Sequence, residues 1–160
     1  MAKRSDLLCF DACIIIDCLL KDPAQYQTLE PIILQAEAGN IRIVASVICR
    51  AEVIKLPHLA TKDAEAIIEE FFRQNYVIMY AVNETTALEA GRLRRLLGLQ
   101  TADAIHLATA IESKAEAFIT SDEVLLKCRN DIRKRLKILT PKEFFDTLPT
   151  SVKQAHLDLT

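Results

Sequence analysis

Four acidic residues stand in places where an ordinary solvated surface gives no reason for them. Asp11 directly follows the apolar run LLCF (7–10), and Asp122 comes two residues after AFIT (117–120) in FITSDEVLL. Asp103 and His106 interrupt the small, apolar stretch TADAIHLATA (101–110). Glu52 has Ile48, Cys49 and Leu56 at i−4, i−3 and i+4, an apolar stripe if its segment is helical. Burying one carboxylate without a partner is expensive, and like charges brought together raise one another's proton affinity until a cation or base neutralises them. Four gathered acids therefore imply a metal. Carboxylate oxygens suit a hard ion, Mg²⁺ or Mn²⁺, which keeps water ligands and takes substrate phosphate oxygens in its remaining positions. One or two such ions serve hydrolysis of a phosphodiester by in-line attack.

The elements that must position these acids are visible as alternating apolar patterns. Short β-rich runs at 7–10, 41–45, 76–82, 117–120 and 136–139 alternate with helix-like segments at 13–20, 24–38, 47–56, 61–74, 84–97, 102–114 and 121–128. Pro23, Ser46, Thr61, Asn83, Thr101 and Ser121 mark helix starts, and Gly39, Pro57 and Gly98 mark stops. The alternation predicts an α/β fold: one three-layer domain whose central, mostly parallel sheet of about five strands is flanked by helices. Such sheets place ligand sites beyond the carboxyl ends of their strands, where Asp11 and Asp122 fall. The domain is expected to span 1–148, with 149–160 as a loosely held tail.

Composition bounds the setting. A chain of 160 residues, 51% hydrophobic and 26% charged, fits one well-cored domain. No apolar run approaches the ~20 residues of a membrane span, and MAKRSDLL has no signal-type apolar core, so a cytoplasmic protein is expected. Five cysteines without a C-x-x-C pair read as reduced core thiols, which disfavours disulfides and a structural zinc. A formal net charge of −2 gives no global basic field, so nucleic acid must be met by a local patch or by bound metal. The basic runs are GRLRRLL (91–97) and KCRNDIRKRLK (127–137), with Arg50 and Lys55 beside Glu52. Arg50, Arg94 and Arg95 are candidate contacts to nucleic-acid phosphates, although solvated helix faces account for most of these charges.

Each acid alone has an ordinary structural explanation. Asp103 and Asp122 suit the first turn of a helix, and Asp11 suits a strand-end cap. Glu52, mid-helix on an apolar stripe, has no capping role. Asp17 is a second-tier site acid, equally at home on an exposed helix edge. His106 reads as a buried, hydrogen-bonded histidine that packs or supports Asp103 rather than as a general base. The aspartyl phosphatase fold needs a second acid two residues after the first, and position 13 is Cys; the three glycines are too scattered for a phosphate loop.

The order FDACIIIDCLL, ASVICRAEV, TADAIHLATAI and AFITSDEVLL resembles the PIN domain, specifically its small prokaryotic branch typified by VapC toxins. TADAIHLATA is very similar to the family's D-A-I-H-L-A-T-A helix, and LKILTPKEFF is similar to its final strand and helix, so the likeness runs from Leu7 to about Phe145. It implies that the acidic quartet is Asp11, Glu52, Asp103 and Asp122, and that the polar residue of the fourth motif is Thr120 or Ser121. Where the family commonly has Thr or Ser and then Asn or Ser after its first Asp, this chain has Ala12 and Cys13, which predicts weaker hydrogen-bonding support for Asp11.

The resemblance further implies a divalent-metal-dependent endoribonuclease, the toxin of a toxin–antitoxin pair, using one or two Mg²⁺ or Mn²⁺ ions. Its implied substrate is single-stranded or structured RNA, although the carboxylates alone fit DNA equally. Asp11 and Asp103 are expected as principal ligands, with Glu52 and Asp122 binding through water, holding a second ion or orienting the attacking water. A cognate antitoxin and a homodimer are the implied partners, for which the apolar helix surfaces CIIIDCLL, PIILQA and AIIEEFF offer a groove. The opposing reading is a PIN-like module that binds RNA or protein and cuts nothing; retention of all four acids argues against it.

Overall fold

The computed structural model describes residues 6–157, in which the apolar runs become a five-stranded sheet. The strands are β1 (Asp6–Phe10), β2 (Ile41–Ser46), β3 (Val77–Tyr80), β4 (Ala117–Ile119) and β5 (Lys137–Leu139). They lie in the order β3-β2-β1-β4-β5 and every pairing is parallel. Helices α1 (Ala12–Leu20), α2 (Pro23–Glu37), α3 (Cys49–Glu52), α4 (Thr61–Phe72), α5 (Glu84–Leu97), α6 (Thr101–Glu112), α7 (Glu123–Lys127), α8 (Arg129–Ile132), α9 (Pro141–Thr147) and α10 (Thr150–Leu157) connect and follow them.

Period-2 alternation along the strands makes the three layers. Leu8, Phe10, Ile41, Ile43, Ala45, Ala117 and Ile119 face one core with residues of α1, α2, α4 and α9. Cys9, Val44 and Phe118 face the other, beneath α5, α6, α7 and α8. Burying each Leu, Ile or Phe fully is worth roughly 1.5–3 kcal/mol, so the two cores are what fix the strand ends in space. The chain builds outward from β1 to β3, then returns across β1 to lay down β4 and β5 on the other side. The point where the winding reverses lies between β1 and β4, and that is where such sheets open a crevice at their carboxyl ends.

Several elements depart from their expected extents. The helix expected over 47–56 shrinks to Cys49–Glu52, because Ser46 is the last residue of β2 and the backbone leaves the helical region at Val53. Val53 and Leu56 are almost wholly buried, and sinking both outweighs four more residues of helix ending at Pro57. Gln100 rather than Thr101 takes the cap position of α6. Asp122 rather than Ser121 caps α7. Residues 150–157 of the expected loose tail form α10, with Val152 packed on the first core and Lys153 Nζ donating to the Asp146 carbonyl at 3.0 Å; 158–160 lie outside the described residues. The apolar helix surface expected to be exposed is largely core: Ile14, Ile15, Ile32, Ile68, Phe71 and Phe72 are buried, leaving Leu20, Leu34 and Ile67 in solvent. Among the described residues no helix is long and apolar enough to cross a membrane.

Candidate active site

Asp11 and Thr120 meet because β1 and β4 are neighbours and both end at the reversal point, with the Asp11 N–H bonded to the Ile119 carbonyl at 3.1 Å. Asp11 is only 6% exposed and serves as the N-cap of α1. Its Oδ1 accepts from the Ala12 N–H at 2.8 Å, and its Oδ2 accepts from the Thr120 hydroxyl at 2.6 Å and the Cys13 thiol at 3.3 Å. Burial, then the adjacent Asp11 charge, push the Cys13 thiol up to about 12, so it stays protonated and able to donate. Ala12 thus contributes only its backbone N–H, and Cys13 donates a thiol, a weaker donor than a hydroxyl or amide, so the strongest side-chain support for Asp11 is that of Thr120. Of the two candidates for the fourth motif, Thr120 is the one that reaches Asp11, while Ser121 is exposed and turns its backbone N–H toward Cys13.

Thr120 also joins Asp11 to Asp122, whose N–H donates to the same hydroxyl oxygen at 3.0 Å. Asp122 is exposed, and its Oδ1 caps α7 by accepting from Val124 N at 2.7 Å and Leu125 N at 3.3 Å. Its ordinary capping role and its place in the site coexist, because a carboxylate has a second oxygen to spare.

Asp103 is the residue that registers the whole cluster. Burial, then the charges of Asp122 and Asp11, and last that of Glu52, hold its carboxyl above the usual value, opposed by His106. Three acids, from the end of β1, from α3 and from the β4–α7 turn, are thus brought within electrostatic reach of Asp103 on α6. Asp17 is not among them. It sits six residues beyond Asp11, about 9 Å along α1, and the charge that raises its carboxyl after burial is that of Asp22.

His106 is 1% exposed, as a buried histidine should be, but its partner is Glu52 rather than Asp103. Its Nε2–H donates to Glu52 Oε2 at 2.6 Å, while Nδ1 lies 3.9 Å from Cys49 Sγ. Burial alone lowers its proton affinity, yet the hydrogen bonds to Cys49 and Glu52 carry it up to about 10. The Cys49, Glu52 and His106 donors all lie within 4.8 Å of one another. Donors sharing a tetrahedral ion at about 2.0–2.1 Å stand roughly 3.3 Å apart, so the closer His106–Glu52 contact is a hydrogen bond and not a bridge through metal. No spacing rule pointed to the His106–Glu52 and His106–Cys49 contacts, whose partners are 54 and 57 residues apart, or to the approach of the Cys13 thiol to Thr120 across 107 residues.

The basic residues divide. Arg50 is bonded to Glu69 and stacks over Phe72 at 4.9 Å, which occupies it within α3 and α4. Arg129 pairs with Glu143 at 2.8 Å and Arg135 with Glu89 at 2.7 Å, and the run 128–136 leads to the amino end of β5, away from the acids. Arg94 and Arg95 line a polar surface pocket of about 440 Å³ with Gln100, immediately before the turn of α6 that carries Asp103. Gly98, at φ 70°, lets α5 end and the chain turn there.

The PIN domain family profile matches residues 8–130, and the chain belongs to that family. No curated protein matches it by sequence. Among solved structures it is similar to VapBC2 from Rickettsia felis bound to a DNA fragment from their promoter, with 16% identity, a TM-score of 0.61 and coverage of 84% of this chain and 98% of that one. It is similar also to VapBC-1 from nontypeable Haemophilus influenzae, with 22% identity, a TM-score of 0.60 and coverage of 85% and 98%. A toxin–antitoxin complex from Klebsiella pneumoniae gives 22% identity, a TM-score of 0.57 and coverage of 86% and 98%.

Proposed function

We propose that the chain is a divalent-metal-dependent endoribonuclease of the VapC type, the toxin of a toxin–antitoxin pair. The observation that carries this reading is the junction at the carboxyl ends of β1 and β4, where one Thr120 hydroxyl bonds both the Asp11 carboxylate at 2.6 Å and the Asp122 N–H at 3.0 Å, beside an Asp103 carboxyl held up by burial and neighbouring acids: such a cluster is suited to a positive partner. The donor set fits Mg²⁺ or Mn²⁺, being all carboxylate and, at Glu52 and Asp122, open to solvent. Asp11 and Asp103 would be the principal holders, with Glu52 and Asp122 acting through water or at a second ion. Bound there, one or two such ions would supply charge stabilisation for the phosphate and activation of water.

The rest is the work of the chain. Asp11 is clamped by three donors and cannot swing out of the crevice. Thr120 sets the spacing of Asp11 and Asp122 through one hydroxyl. Arg94 and Arg95, beside the start of α6, would meet a neighbouring phosphate of the RNA. The toxin–antitoxin neighbours support a cognate antitoxin as partner. Its apolar anchor would suit the pocket of about 210 Å³ lined by Cys18, Tyr26, Ile67 and Phe71, between α1, α2 and α4. We place the protein in the cytoplasm as a homodimer.

The test incubates purified protein with mixed RNA substrates in Mg²⁺ or Mn²⁺, beside an EDTA control and the Asp11→Asn and Asp103→Asn variants. Cleavage that needs metal and disappears in both variants is expected. Wild-type protein that cuts no more than the variants across a broad RNA panel overturns the reading and leaves a binding module.

A further inference from the structure

We propose that His106 is the positioning residue for Glu52, its Nε2–H holding the carboxylate toward the acid cluster at 2.6 Å. The inference rests on the metal-site reading above.

Glu52 needs such a partner because its own element gives it little rigidity. Helix α3 is four residues long, starts at Ile48 without a side-chain cap, and gives way to irregular backbone at Val53. The Glu52 side chain is 34% exposed, and among the described residues His106 is its one hydrogen-bond partner. With three rotatable bonds and open solvent beside it, an untethered carboxylate would turn outward. His106 is the opposite. It is 1% exposed, sits in the middle of the twelve-residue α6, and has its other nitrogen against Cys49 Sγ at 3.9 Å. The imidazole therefore spans from α6 to two residues of α3. Asp103 lies one turn earlier on α6, so a single hydrogen bond fixes Glu52 relative to Asp103. Donors that orient ligating carboxylates matter to metal affinity nearly as much as the ligands do.

The experiment measures Mn²⁺ binding directly by electron paramagnetic resonance, with thermal melts to confirm folding and RNA cleavage in parallel. The proteins are wild type, His106→Leu, His106→Gln, His106→Asn, Glu52→Gln and the double variant His106→Leu/Glu52→Gln. Loss of either partner is expected to weaken Mn²⁺ binding by about tenfold or more. The double variant should fall no further than the weaker single, because both remove one arrangement. His106→Gln, whose amide nitrogen can reach the carboxylate, should recover much of the affinity, and the shorter His106→Asn should not. A folded His106→Leu protein that binds Mn²⁺ as tightly as wild type overturns the proposal, as do losses that multiply in the double variant. If His106→Leu does not fold, equal affinities for the Gln and Asn variants overturn it instead. Absence of metal-dependent cleavage in wild type defeats the nuclease reading alone, since the Mn²⁺ series still decides the role of His106; wild-type protein that binds no Mn²⁺ defeats both.

Discussion

Replacing Thr120 by Val removes one hydroxyl from the centre of the site and changes almost nothing else. The side chain is fully buried, and Val fills the same volume, so no cavity opens. Two strong hydrogen bonds go, the donation to Asp11 Oδ2 at 2.6 Å and the acceptance from the Asp122 N–H at 3.0 Å, with the weaker 3.8 Å contact to the Cys13 thiol. A hydrogen bond to a charged group contributes roughly 1.5–3 kcal/mol, and a buried donor left unmet costs about 1–3 kcal/mol. The Asp122 amide is only partly buried, so the lower end of the second figure applies and the sum is about 2.5–4 kcal/mol. Thr120→Ser keeps the hydroxyl and loses one buried methyl, at about 1 kcal/mol. Urea unfolding at neutral pH in EDTA, followed by circular dichroism, should rank wild type above Thr120→Ser and Thr120→Val last. A Val variant as stable as the Ser variant would refute the claim that this hydroxyl, rather than the volume of the side chain, holds Asp11 and Asp122 together. The same variant should cleave RNA more slowly than Thr120→Ser at equal folded fraction.

Two further perturbations test charges on opposite sides of the balance. Glu89 on α5 is nearly buried, and the hydrogen bond from Arg135 at 2.7 Å, aided by Arg92 at 3.3 Å, outweighs burial and holds its carboxyl below the usual value. The unfolded chain then binds that proton more tightly, so the stabilisation is full above the unfolded value of 4.5 and is lost as pH falls through the folded one. Because both arginines are largely solvated, Glu89→Gln should cost only about 1 kcal/mol at pH 7, and its deficit should vanish on acidification; a deficit that persists in acid argues for packing instead. Asp103 has the reverse sign: its raised value means the folded chain binds the proton more tightly, and the ionised form costs stability at neutral pH. Asp103→Asn should therefore melt above wild type in EDTA at pH 7, the gap closing as pH falls through the raised folded value, gone below the unfolded value of 3.8, and reversing at pH 7 when Mn²⁺ is added. A variant that melts below wild type in EDTA would contradict the clustering of the four acids.

Legibility from sequence followed the range over which each feature is decided. The strands and long helices are set by local apolar periodicity, so β1, β2, β4, α2 and α5 fall within a residue or two of their expected spans. Strand ends followed from the same periodicity, and with them the placement of Asp11 and Asp122 at the carboxyl edge. The segment after β2 was misread because its apolar residues fit a helical stripe, whereas burial of Val53 and Leu56 pulls the chain out of the helix. The basic residues show the same limit: charge is visible in sequence but its partner is not, and Glu69, Glu89 and Glu143 take up Arg50, Arg135 and Arg129. His106 was legible as buried from its apolar neighbours, but its acceptor depends on how α3 lies against α6, which no local pattern encodes.

The four acids differ most in how much support the protein gives them, and that difference carries functional meaning. Asp11 has three hydrogen-bond donors, Asp122 has two backbone amides, and Glu52 has His106. Asp103 has none among the described residues, and burial, then the charges of Asp122 and Asp11, drive its proton affinity up. A fold selected only for stability would place a neutral side chain there, because the neighbouring strand ends already supply enough negative charge. Leaving one carboxylate without a hydrogen-bond donor at the start of α6 sets it against the charges of the other acids, with the Glu52-bound His106 as the cationic group that opposes them, so negative charge remains in excess. The helix dipole offsets part of that deficit, worth about 0.3–1 kcal/mol at a helix start, which is too little to neutralise a cluster of four. The cost of the apo state is thus concentrated on one residue, and the two hydrophobic cores that fix the strand ends are what allow the chain to bear it.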